Sequence, residues 1–211
     1  MLDPSGAAFW PGKRVLIAAD PPFATPTEFS ARPVAQDPRA GLERLNRLVR
    51  LYRPAKVIML GQGQPAEAPV ALGKEVLAKL DAMAREASFI WVGGAPAANL
   101  PGQCVELHRE GPFTFRHVPA AKLAPREIEV SGFLQPKASI DARAKRISRP
   151  CFVTDAHRLV LPAFGAQTGG LDVRDPAIAR LFPRGFRVFL LGQEQLFSFA
   201  LEQLGRMAEV A

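Results

Sequence analysis

Short apolar runs separated by longer amphipathic stretches organise the first half of the chain. Val15-Leu16-Ile17-Ala18-Ala19, Val57-Ile58-Met59-Leu60 and Phe89-Ile90-Trp91-Val92 carry no polar residue, which is the pattern of strands buried on both faces. Between the first two, Leu42, Leu45, Leu48, Val49 and Tyr52 recur at helical spacing after an Asp37-Pro38 start, and Pro54 ends the stretch. Between the second and third, Val76, Leu77, Leu80 and Met83 form the inner stripe of a helix over residues 70–87. Residues 23–36 are polar and proline-rich and predict a surface loop. Strand, helix, strand, helix, strand predicts a parallel α/β sheet with right-handed crossovers. The three strands end at Asp20-Pro21-Pro22, Gly61-Gln62-Gly63 and Gly93-Gly94-Ala95-Pro96. Ligands of such sheets lie beyond the carboxyl ends of the strands, so these ends are expected to converge on one site.

The rhythm then changes. Residues 105–108, 113–117, 128–130, 151–153 and 159–161 are short strand-like runs joined by turns, which predicts a second, mostly antiparallel sheet. Residues 174–182 predict a short helix, 186–191 a further strand and 194–209 a terminal helix. After Arg158, the twelve residues from Leu159 to Gly170 carry no charge. By local physics, Leu159, Val160 and Leu161 end a buried strand and Pro162 stops its pairing. Gly165, Gly169 and Gly170 then allow tight turns.

Composition narrows the class. A chain of 211 residues with 48% hydrophobic and 22% charged residues fits one globular domain over residues 1–211. No apolar run reaches the ~18 residues of a membrane span, and the first residues lack the pattern of a signal peptide. Cys104 and Cys151 have no Cys-x-x-Cys spacing and suggest two reduced, packed thiols in a cytoplasmic protein. The net charge of +7 favours acidic partners, nucleic acid among them. Lys137, Arg143, Lys145, Arg146 and Arg149 place five positive charges within thirteen residues, opposed only by Asp141. Such a run is either a solvated loop or a contact for phosphates. No aromatic residue interleaves it, so base stacking is not indicated there.

Cys151-Phe152, Leu161-Pro162-Ala163-Phe164-Gly165 and Thr168-Gly169-Gly170 together resemble the C-terminal signature of the ligase-associated DNA-damage-response metallophosphoesterases, a branch of the calcineurin-like superfamily. The resemblance covers nearly the whole chain and implies a calcineurin-like metallophosphoesterase fold: a two-sheet α/β sandwich flanked by helices. In that superfamily, Asp-x-His, Gly-Asp, Gly-Asn-His, a separate His and Gly-His-x-His segments hold two divalent metals such as manganese, which activate water and clamp a phosphoryl group.

The matching segments are present in order, but most ligands are replaced. Asp-x-His becomes Asp20-Pro21-Pro22, Gly-Asp becomes Gly61-Gln62, and Gly-Asn-His-Asp becomes Gly93-Gly94-Ala95-Pro96. Ser-Gly-His-x-His-Pro becomes Ser131-Gly132-Phe133-Leu134-Gln135-Pro136, while His-x-Pro stays as His117-Val118-Pro119. The vestigial site is therefore expected at Asp20, Gln62, Gly94, Ala95, His117, Phe133 and Gln135. Only Asp20 and His117 remain as donors, and the resemblance assigns them to different metals.

Two adjacent dications repel each other too strongly for one carboxylate and one imidazole to hold them. No metal cofactor is expected, and the resemblance then implies a pseudoenzyme with a binding or accessory role in DNA repair. Its partners would be DNA or DNA-repair proteins. The alternative is an active metal-dependent phosphoesterase or nuclease with a remodelled site, using one metal held by Asp20 and His117. A third reading makes the old site a neutral pocket for a small ligand, lined by Gln62, Gln64 and Gln135. Asp20 equally suits a strand end where it satisfies nearby backbone donors, and His117 a hydrogen-bonded pocket position.

Overall fold

The computed structural model describes residues 1–21, 38–61, 73–93, 100–142, 145–164 and 170–204; residues 38, 141–142, 145–146 and 203 are described by their backbone alone. Five strands form the first sheet: β1 (Ala8–Trp10), β2 (Val15–Ala19), β3 (Lys56–Leu60), β4 (Ser88–Val92) and β5 (Gln103–Val105), in that spatial order. The pairs from β2 to β5 are parallel, and β1 runs antiparallel to β2 along the edge. Helix α1 (Pro38–Tyr52) leads from β2 to β3, and α2 (Lys74–Ala84) leads from β3 to β4. This is the crossover pattern that the apolar runs predict.

The second sheet contains β6 (Leu107–Glu110), β7 (Phe113–Arg116), β8 (Ile128–Ser131), β10 (Lys145–Thr154), β11 (Arg158–Val160), β12 (Arg187–Leu191) and β13 (Leu196–Ala200), ordered β13-β12-β10-β11-β8-β7-β6. Strand β9 (Lys137–Ala142) pairs with the first half of β10. The sheet is mixed, because β11 and β7 both run parallel to β8.

Alternation along the strands sorts the core into layers. Leu16, Ala18, Val57, Met59, Phe89 and Trp91 face α1 and α2, where Leu42, Leu45, Val49, Leu80 and Met83 meet them. The alternate residues Val15, Ile17, Ala19, Ile58, Leu60, Ile90 and Val92 face Phe115, Val130 and Phe152 of the second sheet. Cys151, Val153, Val160, Val188 and Leu190 pack on its far side against Ile178 of the short helix α3 (Pro176–Ala179) and Phe182. The order is helices, sheet, sheet, helix. After β11, Ala163 bridges Ala19 and the Phe164 N–H donates to the Ala19 carbonyl at 2.7 Å. The uncharged run thus ties the two sheets together at the end of β2.

Four sequence expectations need correction. The strand-like run at 105–108 is divided at Glu106, with β5 ending before it in one sheet and β6 starting after it in the other. The terminal helix over 194–209 is absent among the described residues: Leu196–Ala200 is a strand paired with β12, followed by a 3-10 turn at Leu201–Gln203. The basic run is not a loop, since its described residues belong to the β9–β10 hairpin. Cys104 is exposed rather than packed, while Cys151 is buried and burial pushes its thiol well up.

Candidate functional site

The sheet's hydrogen bonding continues one residue past three strand ends. Asp20 donates its N–H to Leu60, Gly61 to Val92 and Gly93 to Val105, at 2.8, 2.8 and 2.9 Å. Asp20, Gly61 and Gly93 therefore stand side by side at the carboxyl edge of the first sheet. His117 follows β7 in the other sheet, where its carbonyl accepts the Gly132 N–H at 3.1 Å. A Cβ on Gly61 would lie 2.5 Å from His117 Nε2, and one on Gly93 would lie 2.6 Å from His117 Cβ. Both glycines have positive φ, +87° and +78°. They are required twice over, by the turn and by the imidazole that occupies the space.

Asp20 and His117 are 8% and 7% exposed. His117 Nε2 lies 2.7 Å from Asp20 Oδ1, and the Phe133 N–H donates to Asp20 Oδ2 at 3.2 Å. The Phe133 ring meets His117 edge-on at 5.3 Å between centroids. A Cβ on Gly132 would come within 2.7 Å of the Ala19 Cβ, so the two sheets approach closely at this point. Asp20, Phe133 and Gln135 all adopt left-handed backbone, with φ of +47°, +66° and +48°. Such geometry costs about 1–3 kcal/mol per residue and persists only where the surroundings enforce it.

The structure thus brings Asp20, His117 and Phe133 into contact, with Gln135 buried two residues further along the chain. Gln62, Gly94 and Ala95 lie outside the described residues. The donors present do not fit a two-metal centre. Both oxygens of Asp20 are engaged from within the chain, and no group of three or more His, Cys, Asp or Glu among the described residues is placed to hold a metal. At the remaining matched positions the sequence supplies Pro22, Gln62, Gly94, Ala95 and Pro96, none of which carries a carboxylate or imidazole.

Sequence reasoning missed the framework that holds this corner. Glu129 is 0% exposed inside β8. Its Oε1 accepts from Arg158 Nη1, and its Oε2 accepts the Ala120 N–H at 2.8 Å. Arg116 Nε lies 3.4 Å from Glu129 Oε2, and the Arg116 guanidinium also contacts Glu127, which in turn accepts the Ala124 N–H at 2.8 Å. Burial pushes the Glu129 carboxyl up, against the opposing pull of the Ala120 N–H and the two guanidinium groups. The Ala124 N–H first, with Thr114 and Arg116, holds Glu127 down. Together these contacts clamp the segment that follows His117. The charged residue within Ile128-Glu129-Val130 was the available signal, since a carboxylate in a buried strand requires partners.

The other histidines stay apart. His108 lies 3.3 Å from Glu110 Oε2, and His157 is exposed in the turn before β11. Of the basic run, Lys137 pairs with Pro150 and Arg149 with Ala138. Alternation places Lys137 and Arg149 on opposite faces of the hairpin, not in one patch. Arg143 lies outside the described residues, and Lys145 and Arg146 are placed only by their backbone in β10.

Among the described residues, no helix is long and apolar enough to cross a membrane. Neither a protein-family model nor a curated protein matches the chain. Among solved structures, the chain is similar to the crystal structure of Pseudomonas putida nuclease MPE, with 25% sequence identity over 94% of this chain and 93% of that chain and a TM-score of 0.67.

Proposed function

We propose that this chain is a calcineurin-like phosphoesterase scaffold that has lost two-metal hydrolysis and binds nucleic acid without cleaving it. The observation that carries this is the closed pair at the strand ends. Asp20 Oδ1 contacts His117 Nε2, and Asp20 Oδ2 accepts the Phe133 N–H. In the matching family pattern, Phe133 and Gln135 stand where imidazoles are expected, and Gln62 stands in place of the bridging carboxylate. What remains is a buried contact that joins the two sheets.

Similarity to a nuclease over most of both chains supports a phosphodiester ligand. The net charge of +7 favours the same partner class. A role in DNA repair, as the sequence resemblance implies, belongs to this proposal. Backbone phosphates would be held by side chains of the β9–β10 hairpin, without the positive charge that metals would add.

The test uses a fluorescein-labelled DNA duplex with manganese present. The duplex should be bound weakly, independently of sequence, and recovered intact, with affinity falling steeply as salt rises. Changing Arg143, Lys145 and Arg146 together to Ala should weaken binding equally on any sequence and flatten the salt slope by up to about 3. Salt-insensitive binding, or binding untouched by the triple change, rules the hairpin out. Manganese-dependent cleavage abolished by Asp20→Ala would establish the alternative of a one-metal enzyme.

A further inference from the structure

A cleft of about 580 Å³ lies between α1, the first residues of the chain and the turn joining β12 to β13. Helix α1 contributes Arg44, Arg47, Leu48 and Leu51, the i, i+3, i+4, i+7 spacing of one helical stripe. Leu48 is buried, but Leu51 is 65% exposed beside the arginines. Arg149 and Pro150 of β10 and the Gly192–Glu194 turn line the opposite wall. Ala163, bridged to Ala19 beside Asp20, also lines the cleft and links it to the end of β2.

The charge of this cleft is unbalanced. No side-chain hydrogen bond or ion pair among the described residues engages Arg44, Arg47 or Arg149. Asp3, whose Oδ1 accepts the Ser5 N–H at 2.8 Å and whose Oδ2 accepts the Tyr52 hydroxyl, offsets part of this charge without pairing directly to an arginine. Burial, with that bond to Asp3, pushes Tyr52 up to about 12. Glu194 is the remaining carboxylate, exposed at the rim. Three arginines against the two carboxylates Asp3 and Glu194 leave the cleft net positive, which favours an anionic ligand.

We propose that this cleft seats the phosphodiester backbone of a single nucleic-acid strand, a second contact that rests on the nucleic-acid reading above but lies away from the Lys137 face of the hairpin. Guanidinium groups take phosphate oxygens in pairs, which an ammonium does not. Arg44 and Arg47 stand about one helical turn apart, and Arg149 faces them from the other wall. Leu51 and Pro4 supply an apolar surface for the face of an unstacked base, which a duplex would not present. The volume is that of a site for one nucleotide-sized unit.

Anisotropy of a labelled 12-nucleotide single strand, measured against its duplex and a polyglutamate competitor, tests this. Arg44→Gln with Arg47→Gln should weaken single-strand binding at least about tenfold and reduce the salt slope by about 1.4. These side chains have no partner among the described residues, so circular dichroism and the unfolding midpoint should not move. Arg44→Lys with Arg47→Lys should restore part of the loss, and Leu51→Ser should weaken the single strand more than the duplex. Unchanged affinity in the glutamine pair, with loss in the hairpin triple variant, overturns the cleft while leaving the nucleic-acid reading standing. Absence of binding by the unaltered protein at low salt overturns both. Displacement by polyglutamate at lower concentration than by unlabelled oligonucleotide also overturns it, and assigns the cleft to an acidic protein segment.

Discussion

Gly61 and Gly185 have the same backbone angle, φ +87°, in different surroundings. A Cβ at Gly185 would meet nothing within 4 Å, whereas one at Gly61 would lie 2.5 Å from His117 Nε2. Substituting each by Ala therefore separates backbone strain from displacement of the imidazole. Placing an L-residue in left-handed backbone costs about 1–2 kcal/mol, which is the whole effect expected for Gly185→Ala. Gly61→Ala must also push His117 away from Asp20 Oδ1, giving up a buried hydrogen bond to a charged group worth about 1.5–3 kcal/mol. Its total loss should be about 2.5–5 kcal/mol, measured by urea unfolding. For a chain of this size, at about 2–4 °C per kcal/mol, the excess over Gly185→Ala should lower Tm by a further roughly 3–12 °C. In a His117→Ala background the collision disappears, so Gly61→Ala should then cost no more than Gly185→Ala. The double-mutant cycle reads this as coupling of about 1.5–3 kcal/mol. Equal losses at the two glycines, or a Gly61 penalty that persists without His117, would refute the packing described here.

Two further outcomes follow from the charged contacts. Glu129→Ala leaves Arg158, only 5% exposed, without its carboxylate partner, and should cost about 3–5 kcal/mol in denaturant unfolding. Glu110 is held below 4.5: burial would raise it, but hydrogen bonds from Lys56 and His108 outweigh burial. Its stabilising contribution is therefore present above about 4.5 and lost as pH falls through its folded value, so Glu110→Gln should flatten the acid limb of the stability profile. Glu129, pushed up, acts with the opposite sign: its contribution is fully present below 4.5 and lost as pH rises through its folded value.

The buried parallel strands were legible because nothing but a two-sided core explains runs such as Val57-Ile58-Met59-Leu60. Their ends could be aligned without structural information, and Asp20, Gly61 and Gly93 do stand together. His117 lies against them because the second sheet folds over the first, a long-range fact that only the family pattern supplied. Where local pattern admits two periods, the sequence was ambiguous. Leu196, Phe197, Phe199 and Ala200 suit a helix, but the Gly192 turn pairs Leu191 with Leu196 and makes them a strand. Charge masked β9 and the start of β10, where Lys137, Asp141, Lys145 and Arg146 suggest a solvated loop although Ile140 pairs with Ile147. The break at Glu106 was invisible because Val105-Glu106-Leu107 alternates without interruption while the chain changes sheets. The arginine stripe of α1 was hidden for another reason: the same helix was read only for its buried face.

The most direct test of the proposed loss of the metal centre is equilibrium dialysis of the purified protein against manganese, with hydrolysis of a generic phosphodiester followed in the same sample. The donor set of Asp20 and His117, with both Asp20 oxygens already engaged, should retain no stoichiometric pair of metals and give no turnover above background. Retention of two manganese ions per chain, with turnover that Asp20→Ala abolishes, would contradict it.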